Sequence, residues 1–261
     1  MTWKPVGPRK GSIGKGAAST FPGFCGKHEG VFDFEQGKKL ETNEHYLLQL
    51  YRTAVKENWR ERFARDYFGE LPHLVKTWRH EIPWLDGRFD SFVNDAEERW
   101  LNRHMDAASS AAELHGIEGE LAAACFGTPK PFDDANMTPQ MVFKTAVKGQ
   151  VPYAYSGSCH FWRDNVSPLL VLVVIPQDGE TLVLMTCEQP FGESLRAFRD
   201  LYMGNDDSIF RTVQSWATHR PDDWYFSSDW WNESPERQAE TLNKAHKALP
   251  EMNLLPLDGL N

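Results

Sequence analysis

The sequence predicts an α+β protein: a helical amino-terminal half, then a small antiparallel β-sheet of about four strands, with carboxy-terminal helices. Three observations carry that expectation. Between Thr42 and Ala124, apolar and aromatic residues recur every three to four positions, the spacing of one helix face. Past Pro139 the period falls to two, and residues 169–175 form an unbroken apolar run, as in a strand covered on both sides. Asp178-Gly179 separates that run from a second one over 181–187; this is a hairpin signal, because a type I′ turn needs positive φ at both central positions.

The elements follow in order. Residues 1–24 are rich in Gly, Lys, Pro and Ser and read as an extended arm. With the segment STFPGFCGKHEGVFDFE they form a basic arm and Cys-His loop over 1–40. The run GSIGKGAAST is not a phosphate loop, since Gly16 follows Lys15 where Ser or Thr is required. Thr42 or Asn43 caps a helix expected over 42–68. In it Leu47, Tyr51, Val55, Trp59, Phe63 and Tyr67 recur every four residues. That row drifts around a 3.6-residue helix, so Leu48, Ala54 and Phe63 are expected to share the buried face. Arg52, Arg60, Arg62 and Arg65, beside Glu57, Glu61 and Asp66, are expected on a solvated, salt-laced face.

Pro72, Pro83 and Gly87 predict a break over 71–87, followed by helices over 91–109 and 111–124, the latter weakened by Gly116 and Gly119. The helical region thus spans 41–127, and the proline-rich stretch 127–139 reads as a linker. The sheet and the last helices fill 137–261. Strands are expected over 141–147, 153–162, 169–175 and 181–187. Alternation in the second puts Tyr153, Tyr155, Gly157, Cys159 and Phe161 on one face, and Ser156, Ser158 and His160 on the other. Helices are expected over 192–203 and 207–218, and a last one is capped by Ser234 with Pro235 at its first position.

Composition narrows the function classes. The net charge is −9, yet residues 1–39 carry seven Lys/Arg against three Asp/Glu, leaving −13 on the rest. An acidic body lacks the field that draws phosphate backbones, so nucleic acid is not expected to bind except through the basic arm 1–39. No apolar run is long enough to cross a bilayer, and the amino terminus lacks an apolar signal region. A cytoplasmic protein with no membrane contact is the expectation. Cys25, Cys125, Cys159 and Cys187 are widely spaced, which favours reduced thiols or a metal site over disulfides.

Two stretches carry candidate chemistry. Cys25 and His28 form a Cys-x2-His pair able to converge on one metal ion, with zinc the candidate cofactor. The pair is half a structural site, and joining it to Cys159 or Cys187 has no support from spacing. Alternatively Cys25 is a nucleophile with His28, His160 or His219 as base, and Glu29, Asp33 or Glu35 as orienter. The plainer reading is a buried, inert cysteine beside a histidine bonded to a carbonyl. The second stretch is the polar loop holding Trp224, Tyr225, Trp230 and Trp231, preceded by His219 and Arg220. Clustered tryptophan beside Asp and Arg can stack a base or sugar or cage a cation. Such a block is more often a loop pinned to its own domain or a partner interface, in which Trp and Arg dominate the binding energy.

The phrase STFPGFCGKHEGVFDFE followed by EHYLLQLYR resembles a family of uncharacterised bacterial proteins built around STFxGFCxxH[DE]. The likeness extends to a strand ending in Ile175-Pro176, a hairpin to a second strand, and the aromatic loop SSDWWNESPE. Glu29 stands where the family usually has Asp. Some members resemble treble-clef or HNH zinc modules ahead of the phrase, whereas residues 1–18 hold no Cys or His. The resemblance implies no single activity. It leaves two expectations. One is a bacterial interaction or accessory protein with a protein partner or a homo-oligomeric state, in a phage-defence or toxin–antitoxin setting by association. The other is a small hydrolase or nuclease-like enzyme using Cys25 and His28.

Overall fold

The computed structural model describes residues 39–81, 87–127, 142–149, 151, 153–161, 167–219 and 224–226, with positions 233 and 236. The fold is α+β. Helix α1 (Asn43–Glu81) and helix α2 (Gly87–Phe126) are followed by β1 (Val142–Lys148), β2 (Tyr153–His160), β3 (Leu169–Gln177) and β4 (Glu180–Thr186). A 3-10 turn (Gln189–Phe191) leads into α3 (Gly192–Tyr202), α4 (Asp206–His219) and a short β5 (Trp224–Phe226). The linker past Gly127, Trp162 and the last helix at Ser234 and Pro235 lie outside the described residues.

Thr42 caps α1, its Oγ1 accepting from the His45 amide at 3.2 Å. The helix does not stop at residue 68. It runs through Pro72 for 39 residues, about 58 Å at 1.5 Å per residue. The break expected over 71–87 comes only after Glu81, before α2 starts at Gly87, and not at Pro72, because α1 is braced there by α2, with Leu71 and Val75 buried on either side of the proline. The two helices run antiparallel: Asn58 Nδ2 donates to Glu118 Oε2 at 2.6 Å, and His104 Nδ1 sits 2.9 Å from the Arg65 carbonyl. Likewise 91–109 and 111–124 are not separate. They are one 40-residue helix, continuous through Gly116, where any larger side chain would collide with the Glu188 carboxylate.

The sheet is antiparallel with order β1-β4-β3-β2-β5, five strands instead of about four. Asp178 (φ 48°) and Gly179 (φ 80°) turn the β3–β4 hairpin with both central residues left-handed, as that turn type requires. The crossing from β1 to β2 is strapped by Thr181, whose Oγ1 donates to the Gly149 carbonyl at 2.7 Å and accepts from the Val151 amide at 3.0 Å.

Helices cover both faces of the sheet. Leu47, Leu50 and Ala54 of α1, with Leu114, Ile117, Leu121 and Cys125 of α2, pack on Leu169, Val171, Val173, Leu182 and Leu184. The alternate residues Leu170, Leu172, Val174, Val183 and Met185 pack with Tyr153 and Tyr155 against Leu195 and Phe198 of α3 and Ile209 and Val213 of α4. β3 is apolar without alternation because each of its faces has a helical layer to fill. On α1, among the described residues, this sheet-facing core draws only on the stretch up to Ala54. Beyond it α1 and α2 continue as a paired hairpin.

Two expectations about α1 are overturned. Phe63 does not share the buried face with Leu48 and Ala54; it is 55% exposed. Glu57 is not on a solvated face; it is fully buried. Both follow from helical drift. Each four-residue step turns the row about 40°, so it leaves the core at Leu47 and reaches solvent by Trp59, and Glu57 rotates inward.

Candidate functional site

Of the residues singled out from the sequence, Cys25, His28, Glu29 and Glu35 lie outside the described residues, as do Trp230 and Trp231. Trp224 and Tyr225 are not in a loop. They belong to β5, whose register sets Tyr155 opposite Trp224 and Ala154 opposite Tyr225. Cys159 and His160 point to opposite faces as alternation requires: Cys159 packs toward the second core and His160 turns to α2. Among the described residues, no three His, Cys, Asp or Glu side chains gather as a metal site.

The described thiols divide by burial. Burial first, with Glu44 adding, pushes Cys125 up to about 12. Burial again leads at Cys187, with Glu120 and Glu188 adding, and it too reaches about 12. Burial thus holds both as neutral thiols, which makes them packing residues and not nucleophiles.

What the structure does assemble is a polar seam between β2 and the helical hairpin. The three polar residues of the inward β2 face each find a helix partner. Ser158 Oγ donates to Glu57 Oε2 at 3.1 Å. Glu57 Oε1 lies 3.3 Å from both Lys56 Nζ and Arg60. Lys56 Nζ in turn donates to the Ser156 carbonyl at 2.8 Å and to its Oγ at 3.0 Å. A buried carboxylate survives only with such neutralisation and hydrogen bonding.

At the end of the strand, His160 Nδ1 is 2.9 Å from the Ser167 carbonyl and its Nε2 is 3.0 Å from Ser110 Oγ. A carbonyl only accepts, so Nδ1 carries a proton; in the neutral imidazole Nε2 then accepts and the Ser110 hydroxyl donates. That is the bonding order of a serine–histidine nucleophilic pair. Here, however, Ser110 is mid-helix and only 7% exposed, and the bond ties α2 to the strand end. Further along α2, Glu113 accepts from the Leu169 amide at 2.9 Å and Glu120 from the Gln189 amide at 3.0 Å. Burial, then Glu120 and Glu113, raise the Glu188 carboxyl, and burial raises Glu120 against the lowering effect of its Gln189 bond. The seam is a set of bolts between layers.

The chemistry offered to solvent is elsewhere, on the outer face of α1. Trp59, Phe63, Tyr67, Leu74 and Trp78 are all exposed there, within an arc of roughly 100° at the helical turn angle. The Trp59 and Phe63 rings stack at 5.9 Å and the Phe63 and Tyr67 rings at 6.3 Å. Sequence reasoning named Trp59, Phe63 and Tyr67 but placed Phe63 inside, and it did not name Leu74 or Trp78. The readable signal was the four-residue repeat itself, which must leave any fixed face within a few steps. A second surface feature is a groove of about 260 Å³ beside edge strand β1, lined by Phe143, Lys144, Leu195, Arg196 and Arg199. Both arginines there are already paired, with Glu193 and Asp200. Among the described residues no helix is long and apolar enough to cross a membrane. Compared with known proteins, the chain matches no family model, no curated protein and no solved structure.

Proposed function

We propose that this protein is an interaction or accessory protein that binds another protein chain through the aromatic face of α1. One observation supports this most: five large apolar side chains, three of them stacked, stand exposed on a helical hairpin that runs on past the sheet. Exposed apolar surface of this extent marks a binding site more often than chance, and Trp and Tyr are the side chains that dominate such contacts. Stacking also says what kind of ligand fits. Phe63 lies between the Trp59 and Tyr67 rings, so its faces are taken and it is not an open platform for a base or sugar. In this reading the Cys25–His28 loop is structural, and the aromatic block from Trp224 to Trp231 is a second contact.

The test is photo-crosslinking in native host extract, with a benzophenone amino acid replacing Phe63. A discrete crosslinked protein, lost when Trp59 and Tyr67 are changed to Glu, is the expected result. No crosslinked protein at position 63, together with substrate turnover by the purified chain, would overturn the reading in favour of an enzyme.

A further inference from the structure

We infer that the partner of the α1 face is a second copy of this chain, paired antiparallel about a two-fold axis that passes between Phe68 and Gly69. This rests on the interaction reading above and names its occupant. The spacing of the row carries it. Trp59 and Trp78 are equally distant from that point, Phe63 and Leu74 are equally distant from it, and so are Tyr67 and Glu70. Two antiparallel copies of α1 in this register therefore set each tryptophan of one against a tryptophan of the other, and Phe63 against Leu74. A two-fold contact uses the same patch on both partners and so requires a self-complementary surface. A foreign helix would impose no such symmetry on the row.

Charge near the axis is compatible with the pairing. Arg65 already holds Asp66 at 2.7 Å within its own chain. Glu70 falls opposite Tyr67 of the copy, and a phenol donates well to a carboxylate. Area is sufficient as well. Aromatic side chains carry about 150–250 Å² each, and the five residues are 37–55% exposed. The face thus offers on the order of 500 Å² per copy, and two copies reach the roughly 1,000 Å² a specific interface needs. Two hairpins joined this way make a four-helix arrangement, giving the length of α1 beyond the sheet a second layer to pack on.

The full chain tests this by light scattering and sedimentation over a range of concentrations. The expected particle is twice the 29.9 kDa chain mass, and Phe63→Glu is expected to reduce it to one chain with its helical circular dichroism unchanged. A single-chain mass at every concentration, or a dimer indifferent to Phe63→Glu, overturns the inference. Register is tested independently of that variant. The double variant Phe63→Cys with Leu74→Cys is expected to form a 63-to-74 link between chains under mild oxidation, identified by peptide mapping. Phe63→Cys alone is not, because the two copies of position 63 would lie about 16 Å apart along the helices, beyond disulfide reach. Absence of the 63-to-74 link in a dimer also overturns it. A single-chain species whose position 63 still captures a different protein would overturn the pairing while leaving the interaction reading intact.

Discussion

At the scale of single residues, Glu57 is the clearest case of charge put to structural use. It is fully buried, bonded to Ser158 on β2 and flanked by Lys56 and Arg60 of its own helix. Removing one member of a buried pair usually costs about 3–5 kcal/mol. Lys56 and Arg60 retain some solvent access, so each can recover part of its hydration. We therefore expect Glu57→Ala to lose about 2–3 kcal/mol in urea unfolding, and Glu57→Gln, which keeps an acceptor for Ser158, to lose less. Equal losses from the two would mean that the carboxylate charge contributes nothing. The same scale separates the cysteines: Cys125 and Cys187 sit in the two cores with their thiols pushed up to about 12.

At the scale of elements, the helices were harder to delimit than the strands. Proline inside a helix costs about 3 kcal/mol relative to alanine, through a lost hydrogen bond and a clash with the preceding turn. α1 nevertheless passes through Pro72, because Leu71 and Val75 are buried beside it and a break there would expose them. Pro72→Ala should therefore stabilise the protein, by about 1–3 kcal/mol, read as a raised unfolding midpoint with the denaturant slope unchanged. A fall in stability would show that the ring itself packs usefully. The β3–β4 hairpin needed no such tertiary argument, since Asp178 and Gly179 take the left-handed conformations that their side chains tolerate best.

For the whole molecule, the consequence lies in how the layers share the sheet. β3 and β4 lend alternate residues to two cores, one against α1 and α2, the other against α3 and α4. The helices of 43–126 and those of 192–219 thus meet over one sheet. Leu172 faces the second core while its neighbours Val171 and Val173 face the first. Leu172→Ala is expected to cost about 2–5 kcal/mol and to shift helix and tryptophan signals together in a single transition. Separate transitions would mean that the hairpin unfolds on its own.

Much of this architecture was legible without coordinates. The change of period past Pro139, the apolar run of β3, the Asp178-Gly179 turn, the two faces of β2 and the helices at 192–202 and 206–219 are all short-range consequences of residue type. Such features depend on neighbours one to four positions away, and the chain carries them openly. The inward rotation of Glu57, the exposure of Phe63, the continuity of α1 through Pro72 and the addition of β5 to the sheet depend instead on partners tens of residues distant. Ser158 is reached from Glu57 across about a hundred positions, and no periodicity encodes which face of a long helix will meet a strand. A row of aromatics can be read from the chain; whether it lies in a core or stands in water is settled only when the layers close over one side of the helix.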